Sequence, residues 1–354
     1  MSDTPHPSGS NSSLCTATAK TLRVVDSHTC GQPTRVIVEG AGIEPGTAPQ
    51  VARAQLREQD WVRRTAVLEP RGHRSMFAAA LIPPKTPMGE YGVVYMDAYG
   101  YPDMCGHATI GVGTTLFEEG LIQANDRSNV EFGLLTPAGR VDLRAHLRAG
   151  RVETIAFRAP LAFHLGSLQI QIGGHARTVE LSYGGQWYAF IDLEGSGRQV
   201  DPEDIDELVK MAAQARARIE AAMPFIDPLT GRPPSPINIV WLDKPTRPAA
   251  DGHNVPVSPA GSFDRSPCGT ATCARMATLV AHGQLAIGQR FVNEGLLGTL
   301  YSGRAVSAVT HAGIAGIVPE VEGSAWITGR AVLSVDPRDP LRRGYLVGGG
   351  PAVT

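Results

Sequence analysis

The sequence predicts an α+β protein built from two similar halves, and three observations point there. Short β-branched runs separated by turn signals recur along the chain, which holds 40 Gly and 27 Pro in 354 residues. The few helix-compatible stretches do not alternate regularly with strands, so a βαβ parallel sheet is not expected. Finally, one pattern, Cys-Gly-(His/Thr)-Ala-Thr, is written twice, at Cys105–Thr109 and again at Cys268–Thr272.

Composition narrows the function classes. The length suits two domains, each able to bury a core. Net charge is −2, from 32 basic and 34 acidic residues without a Lys/Arg cluster, so neither a nucleic-acid nor an anionic-membrane surface is expected. No apolar run approaches the length of a membrane span. Five cysteines, an odd number in a long chain, argue against a disulfide framework. Residues 1–20 read as a disordered tail containing Cys15, without the apolar core of a secretory signal. A soluble cytoplasmic protein with reduced thiols is the expectation.

Taken in order, Leu22–Val25 and Val36–Val38 read as strands, with the polar insert Asp26–Pro33 as a loop between them. Residues 50–63 suit an amphipathic helix. Met76–Ile82 and Val93–Met96 read as strands, and Ala108–Leu121 as a helix whose Gly111 and Gly113 imply close packing. Residues 125–144 return to strand and turn signals. Val152–Phe157 and Ser167–Ile172 alternate with period two, and Leu181–Asp192 reads as two strands broken at Gly184-Gly185. Asp201-Pro202 looks like an N-cap and N1 pair opening a helix that Pro224 closes. Pro236–Leu242 is a compact strand and 249–262 a polar loop. Ala271–His282 is a second buried helix, and Ala325–Val335 alternates once more. The halves divide as 21–158 and 159–335, with a tail over 336–354 expected to pack back on the N-terminal half.

Each repeated motif places a cysteine at the head of a buried helix. Such a helix end offers unpaired N–H groups and a positive partial charge, which favour an anion. They can stabilise a thiolate, lowering a cysteine pKa to between about 3.5 and about 7.5, or hold a carboxylate. Two such ends facing one another would clamp a carboxylate between two sulfurs. One thiolate could then remove the α-proton while the opposite thiol protonates the other face, inverting the carbon. His107 stands two residues after Cys105, and Asp264 four before Cys268, where it could offset a substrate ammonium.

These residues resemble the proline racemase superfamily, which includes proline racemases, 4-hydroxyproline 2-epimerases and trans-3-hydroxyproline dehydratases. The resemblance rests on Met104-Cys105-Gly106-His107 and Asp264-Arg265-Ser266-Pro267-Cys268-Gly269-Thr270. Supporting stretches are Asp26–Gly31, Glu69–His73, Ser182–Gly185 and Ile327–Gly329. It implies a diaminopimelate epimerase-like fold of two pseudo-symmetric halves. Each half is a mainly antiparallel sheet curled around a buried helix, and the active site lies in the cleft between them. It further implies Cys105 and Cys268 as the acid/base pair, with Gly106, His107, Gly269 and Thr270 binding the carboxylate. His107 and Asp264 would sit near the ring nitrogen. The expected partner is a small imino acid, no cofactor is required, and a homodimer is the assembly the family suggests.

Dehydratase members commonly carry Thr at the second cysteine, so Cys268 favours inversion. The first-choice reaction is conversion of trans-4-hydroxy-L-proline to cis-4-hydroxy-D-proline, then proline racemisation, then a 3-hydroxyproline activity. Three positions depart from the pattern: Ala108, Ala271 and Asn293. Blander readings remain for other residues. Cys30 and Cys273 suit core positions, and His28 and His73 suit loop ordering. A zinc site of Cys105, His107, Cys268 and Cys273 lacks usual ligand spacing. An inactive, imino-acid-binding member is the alternative of a different class.

Overall fold

The structure, a computed structural model, describes residues 19–172, 174–311 and 313–347. Cys15 and all of the expected N-terminal tail but its last two residues lie outside them. In chain order the elements begin β1 (Lys20–Thr29), β2 (Gln32–Glu39), α1 (Pro49–Gln59), α2 (Trp61–Val67), β3 (Ala78–Ile82), β4 (Tyr91–Met96) and α3 (Gly106–Glu118). Next come β5 (Asn129–Thr136), β6 (Gly139–Arg148), β7 (Arg151–Arg158), β8 (Phe163–Ile172), β9 (His175–Tyr183), β10 (Trp187–Asp192) and α4 (Ile205–Ala222). The chain closes with β11 (Ile237–Asp243), β12 (Gly252–Val257), α5 (Gly269–Ala281), β13 (Arg290–Glu294), β14 (Leu300–His311), β15 (Ile314–Gly323) and β16 (Ala325–Val335). This is a mainly-sheet α+β architecture.

All the strands join in one hydrogen-bonded succession, β16-β1-β2-β3-β4-β5-β6-β7-β15-β14-β13-β12-β11-β10-β9-β8. Four neighbouring pairs are parallel: β2 with β3, β4 with β5, β10 with β11, and β12 with β13. Parallel neighbours need a crossover, whereas antiparallel ones need only a turn. The helices fill those four crossovers: α1–α2, α3, α4 and α5. Helix placement thus follows from strand direction.

Two of the crossovers run through the interior. From Gly106 to Leu116 every residue of α3 is buried, as is most of α5 from Gly269 to Thr278. Their sequences are small and apolar on all sides, so the sheet can wrap around them. A side chain at Gly113 would come within 3.2 Å of Ile155, which confirms the close packing expected there. By contrast α4 is amphipathic, burying Leu208, Ala212, Ala215 and Ile219 against β8–β12.

Several local expectations are corrected. The polar stretch 26–33 is not a loop: β1 and β2 run through it, and only Cys30-Gly31 turn, with φ of 49° and 97°. Asp26 reads as a loop residue but lies opposite Arg35 in the ladder, and the guanidinium grips its carboxylate at 2.7 and 2.8 Å. The helix over 50–63 is two helices, broken where Asp60 turns left-handed (φ 50°) and holds Arg63 through both carboxylate oxygens. Asp201 does not cap a helix; its carboxylate closes a turn on the Glu203 amide, and the helix begins at Ile205. The loop 249–262 contains β12, paired antiparallel with β11.

The end of the chain returns to its beginning. Strand β16 pairs with β1 and so joins the N-terminal strands. The segment after it lies against α2, where Tyr345 and Glu69 exchange backbone bonds and Arg64 donates to the Arg343 carbonyl at 2.7 Å. Among the described residues no helix is long and apolar enough to cross a membrane.

Candidate active site

The two repeated motifs meet. Gly106 and Gly269 abut: a Cβ on Gly269 would lie 3.3 Å from the Gly106 Cα and 2.8 Å from Cζ of Phe157. Phe157 is fully buried on β7 and bridges both helix tips. Only glycine in both places lets two helix N-termini approach this closely. Cys105 and Cys268 are the N-cap residues of α3 and α5. Together with Gly106, His107, Asp264, Gly269 and Thr270 they line one cavity of about 200 Å³, also bordered by Phe77, Asp97, Gln186, Tyr188 and Asn238. Every residue expected at the site is therefore in the same small cleft, a size suited to a ligand of few heavy atoms.

The shared threonine of the motif has a structural reason. Thr109 closes the first turn of α3 by donating both its amide (2.9 Å) and its hydroxyl (2.7 Å) to the Cys105 carbonyl. Thr272 treats the Cys268 carbonyl identically, at 2.9 and 2.7 Å. These bonds fix the backbone of each cysteine.

The two cysteines nevertheless sit differently. Cys105 is extended, at φ −149° and ψ 119°. Cys268 has φ 64° and ψ 115°, a conformation costly for a residue with a Cβ. The segment before it is pinned from several sides. Its amide donates to Ser266 Oγ (3.1 Å), and the Ser266 amide and hydroxyl both reach Asp264 Oδ1, at 2.9 and 2.8 Å. The Pro267 carbonyl accepts from Asn254 (3.1 Å) and Asn293 (3.3 Å), and Asn293 also donates to Thr272 Oγ1 at 2.9 Å. Asn293, a departure from the family pattern, is thus a buried brace behind Cys268. Ala271, the second departure, lies inside α5 outside the positive-φ positions, so its methyl is accommodated against Tyr188 and Phe190. Ala108, the third, is fully buried in α3.

Neighbouring groups differ as well. The Cys105 sulfur lies 3.2 Å from His107 Nδ1, and the imidazole packs edge-on against Phe77. Cys268 lies 3.6 Å from Thr270 Oγ1 and 3.7 Å from the Tyr188 hydroxyl, which is itself 2.6 Å from Thr270 Oγ1. Asp103, the aspartate ahead of the first motif, is exposed and pairs with Arg53, so it does not mirror Asp264.

Ionisation runs against the expectation of depressed thiol pKa values. Burial, then the Asp264 carboxylate, pushes Cys268 up to about 12. Burial likewise raises Cys105 well above the ordinary thiol value, although the Ala108 amide facing its sulfur pulls the other way. The cost of desolvating a thiolate outweighs the helix-end attraction. Burial also lowers the His107 pKa, leaving a neutral imidazole beside Cys105.

Cys30, Cys273, His28 and His73 take the bland roles foreseen for them. Cys30 and Cys273 are buried core residues. His28 Nδ1 accepts from the Gly31 amide and His73 Nδ1 from the Ser75 amide, so both order turns. Ser266 lies in the second motif, but its bracing role was not foreseen, and Tyr188, Phe157, Asn254 and Gln32, whose Oε1 takes the Arg265 amide at 3.0 Å, escaped sequence reasoning. The last four come from four separate places in the chain, and none carries a motif of its own.

Comparison with known proteins identifies the family. Residues 24–346 match the proline racemase family. A 4-hydroxyproline 2-epimerase of Streptosporangium roseum is 36% identical over 337 residues, spanning 93% of this chain and 99% of that one. A proline racemase of Clostridioides difficile is 32% identical over 332 residues, with the same coverages of 93% and 99%. The fold matches that of a hydroxyproline epimerase from Agrobacterium vitis, solved with bound trans-4-hydroxy-L-proline. The TM-score is 0.79 at 24% identity, covering 93% of this chain and 95% of that one. This chain belongs to the proline racemase family and is an isomerase of the racemase and epimerase kind.

Proposed function

We propose that the protein inverts Cα of 4-hydroxyproline, interconverting trans-4-hydroxy-L-proline and cis-4-hydroxy-D-proline by two-base proton transfer between Cys105 and Cys268. The observation that carries this reading is the meeting of two cysteine-headed helix N-termini in one small cavity. The amides of Gly106, His107, Gly269 and Thr270 hold the substrate carboxylate at the two positive helix ends. One sulfur, as thiolate, takes the Cα proton. The electron pair left on carbon delocalises into the carboxylate, where the helix amides stabilise it. The opposite thiol then gives its proton to the other face, and the roles exchange with direction.

Burial and Asp264 keep both sulfurs protonated on their own. The ring ammonium that a substrate brings opposes the Asp264 charge and makes one thiolate accessible. Substrate binding thereby switches on the base. The fold supports the pairing of roles: along each half the strands run through the same sequence of antiparallel and parallel neighbours, with β16 standing to β1 as β8 stands to β9. We take the halves as 21–158 and 159–335, related by that repeat, with β16 exchanged across them.

Proline racemisation is the second reading, favoured by the Clostridioides relative. Incubation in D₂O with proline, 4-hydroxyproline and 3-hydroxyproline separates the cases, read by polarimetry and by deuterium at Cα. Label entering 4-hydroxyproline fastest is expected. Saturable binding without label in any of the three would make the chain an imino-acid-binding protein. Cys105→Ser and Cys268→Ser should each reduce inversion severely, and wild-type turnover in either would end the two-base mechanism.

A further inference from the structure

Away from the cleft, three ligating side chains converge on one point. His164 Nε2 lies 2.7 Å from Glu180 Oε2, and His282 Nε2 lies 3.2 Å from the same oxygen. The two imidazole rings are 5.0 Å apart, and the three ligand atoms all fall within 4.8 Å of one another. Among the described residues no other group of three His, Cys, Asp or Glu converges in this way. We propose that His164, Glu180 and His282 bind one divalent transition-metal ion of the zinc class.

Geometry and chemistry support the assignment together. Zinc holds imidazole nitrogen and carboxylate oxygen at about 2.0–2.2 Å, which puts tetrahedral ligand atoms about 3.3 Å apart. The Nε2–Oε2 separations of 2.7 and 3.2 Å fall just short of that and all three ligand atoms lie within 4.8 Å of one another, so small shifts of the carboxylate and the imidazoles would close the set around an ion. Two imidazoles and one carboxylate form a borderline-soft donor set that selects zinc, cobalt or nickel over magnesium or calcium, with a fourth position left for water. Ser167 Oγ donates to Glu180 Oε2 at 2.7 Å, so the carboxylate is oriented by an outer partner, as in built metal sites.

The location favours a cation. His164 is on β8, Glu180 on β9, and His282 is the C-cap of α5. A helix C-terminus carries negative partial charge. A nearby cation, Arg275, lies over the Phe190 ring at 5.8 Å and also feels the Glu180 charge. The three side chains keep 14, 21 and 41% of their exposure, enough for an ion to enter from solvent. Because Cys268 heads the same helix, the ion would fasten the far end of α5 to the β8–β9 hairpin. This role does not depend on which substrate the cleft takes.

The test uses the full chain, stripped with a chelator, carrying Cys105→Ser and Cys268→Ser so that active-site thiols cannot compete. Zn²⁺ is titrated by calorimetry and Co²⁺ by its visible absorption. One equivalent should bind, with a tetrahedral cobalt spectrum, and Zn²⁺ should raise Tm. His164→Ala and His282→Gln should abolish the saturable step and the Tm rise. Ser167→Ala, which removes only the orienting bond, should weaken binding by about 10- to 100-fold. His282 is the most exposed of the three, so its variant folds even if His164→Ala does not. Absence of saturable Zn²⁺ binding, or binding unchanged in His282→Gln, would overturn the assignment.

Discussion

Replacing Cys105 and Cys268 in turn with Ala and with Gly reports directly on the backbone difference between the two motifs. At Cys268, φ 64° puts any Cβ in a region that costs about 1–3 kcal/mol. Cys268→Ala keeps that Cβ, and Cys268→Gly removes it. At Cys105, φ −149° is ordinary extended chain, where Gly is worse than Ala by roughly 0.5–1 kcal/mol. The sulfur is lost in both comparisons, and the extra freedom of unfolded Gly is the same at both sites. What remains in the difference between the two Gly–Ala comparisons is the strain itself, about 1–3 kcal/mol in favour of Gly at 268. Urea unfolding gives each ΔG from midpoint and slope. Cys268→Gly should be more stable than Cys268→Ala, Cys105→Gly less stable than Cys105→Ala, and all four inactive. Equal Gly–Ala differences at the two sites would show that Cys268 carries no strain at its φ of 64°.

Further outcomes are expected from the same site. Gly269→Ala brings a methyl within 2.8 Å of the fully buried Phe157 ring. It should cost about 1–3 kcal/mol and lower kcat by about 10²-fold as the helix tips part. Phe157→Leu should recover part of that loss in a double-mutant cycle, and strict additivity would refute the contact. Asn293→Ala removes both hydrogen bonds that its Nδ2 donates behind Cys268, with an expected loss of about 1–3 kcal/mol in urea melts; an unchanged midpoint would count against the brace.

The raised thiol pKa values make a signed prediction about pH. A raised value means that the folded state holds the proton more tightly. The associated stability is complete below the unfolded thiol value of about 8.5 and is lost as pH rises towards about 12 for Cys268. Each thiol contributes a slope of up to about 1.4 kcal/mol per pH unit in that window. Unfolding followed from neutral to strongly alkaline pH should therefore show a flatter decline for Cys268→Ser than for wild type. Parallel curves would contradict the shift.

What could be read from the chain was whatever a local pattern carries. The repeated Cys-Gly-X-Ala-Thr marked two helix N-termini, and the all-round apolar character of the segments after it marked them as buried. Period-two alternation found β7, β8 and β16. Where alternation was diluted, the strands went unseen: β13, β14 and β15 were not anticipated, and β12 was hidden by Pro256 and its polar neighbours. Asp26 and Asp60 misled in the same manner. Each is a polar residue whose partner, Arg35 or Arg63, satisfies it only in the folded chain.

By itself, then, the sequence determined that two cysteine-headed helices exist, that they are interior, and which family they belong to. These properties depend on residues within a few positions of one another. Tertiary structure alone decided that the tips touch through Gly106, Gly269 and Phe157, and that Cys268 is held at positive φ by Ser266, Asn254 and Asn293. It also decided that both thiols are pushed up rather than down in pKa. Desolvation depends on what surrounds a group in space. For Cys105 and Cys268 those surroundings come from distant segments of chain, which no reading of neighbouring residues can assemble.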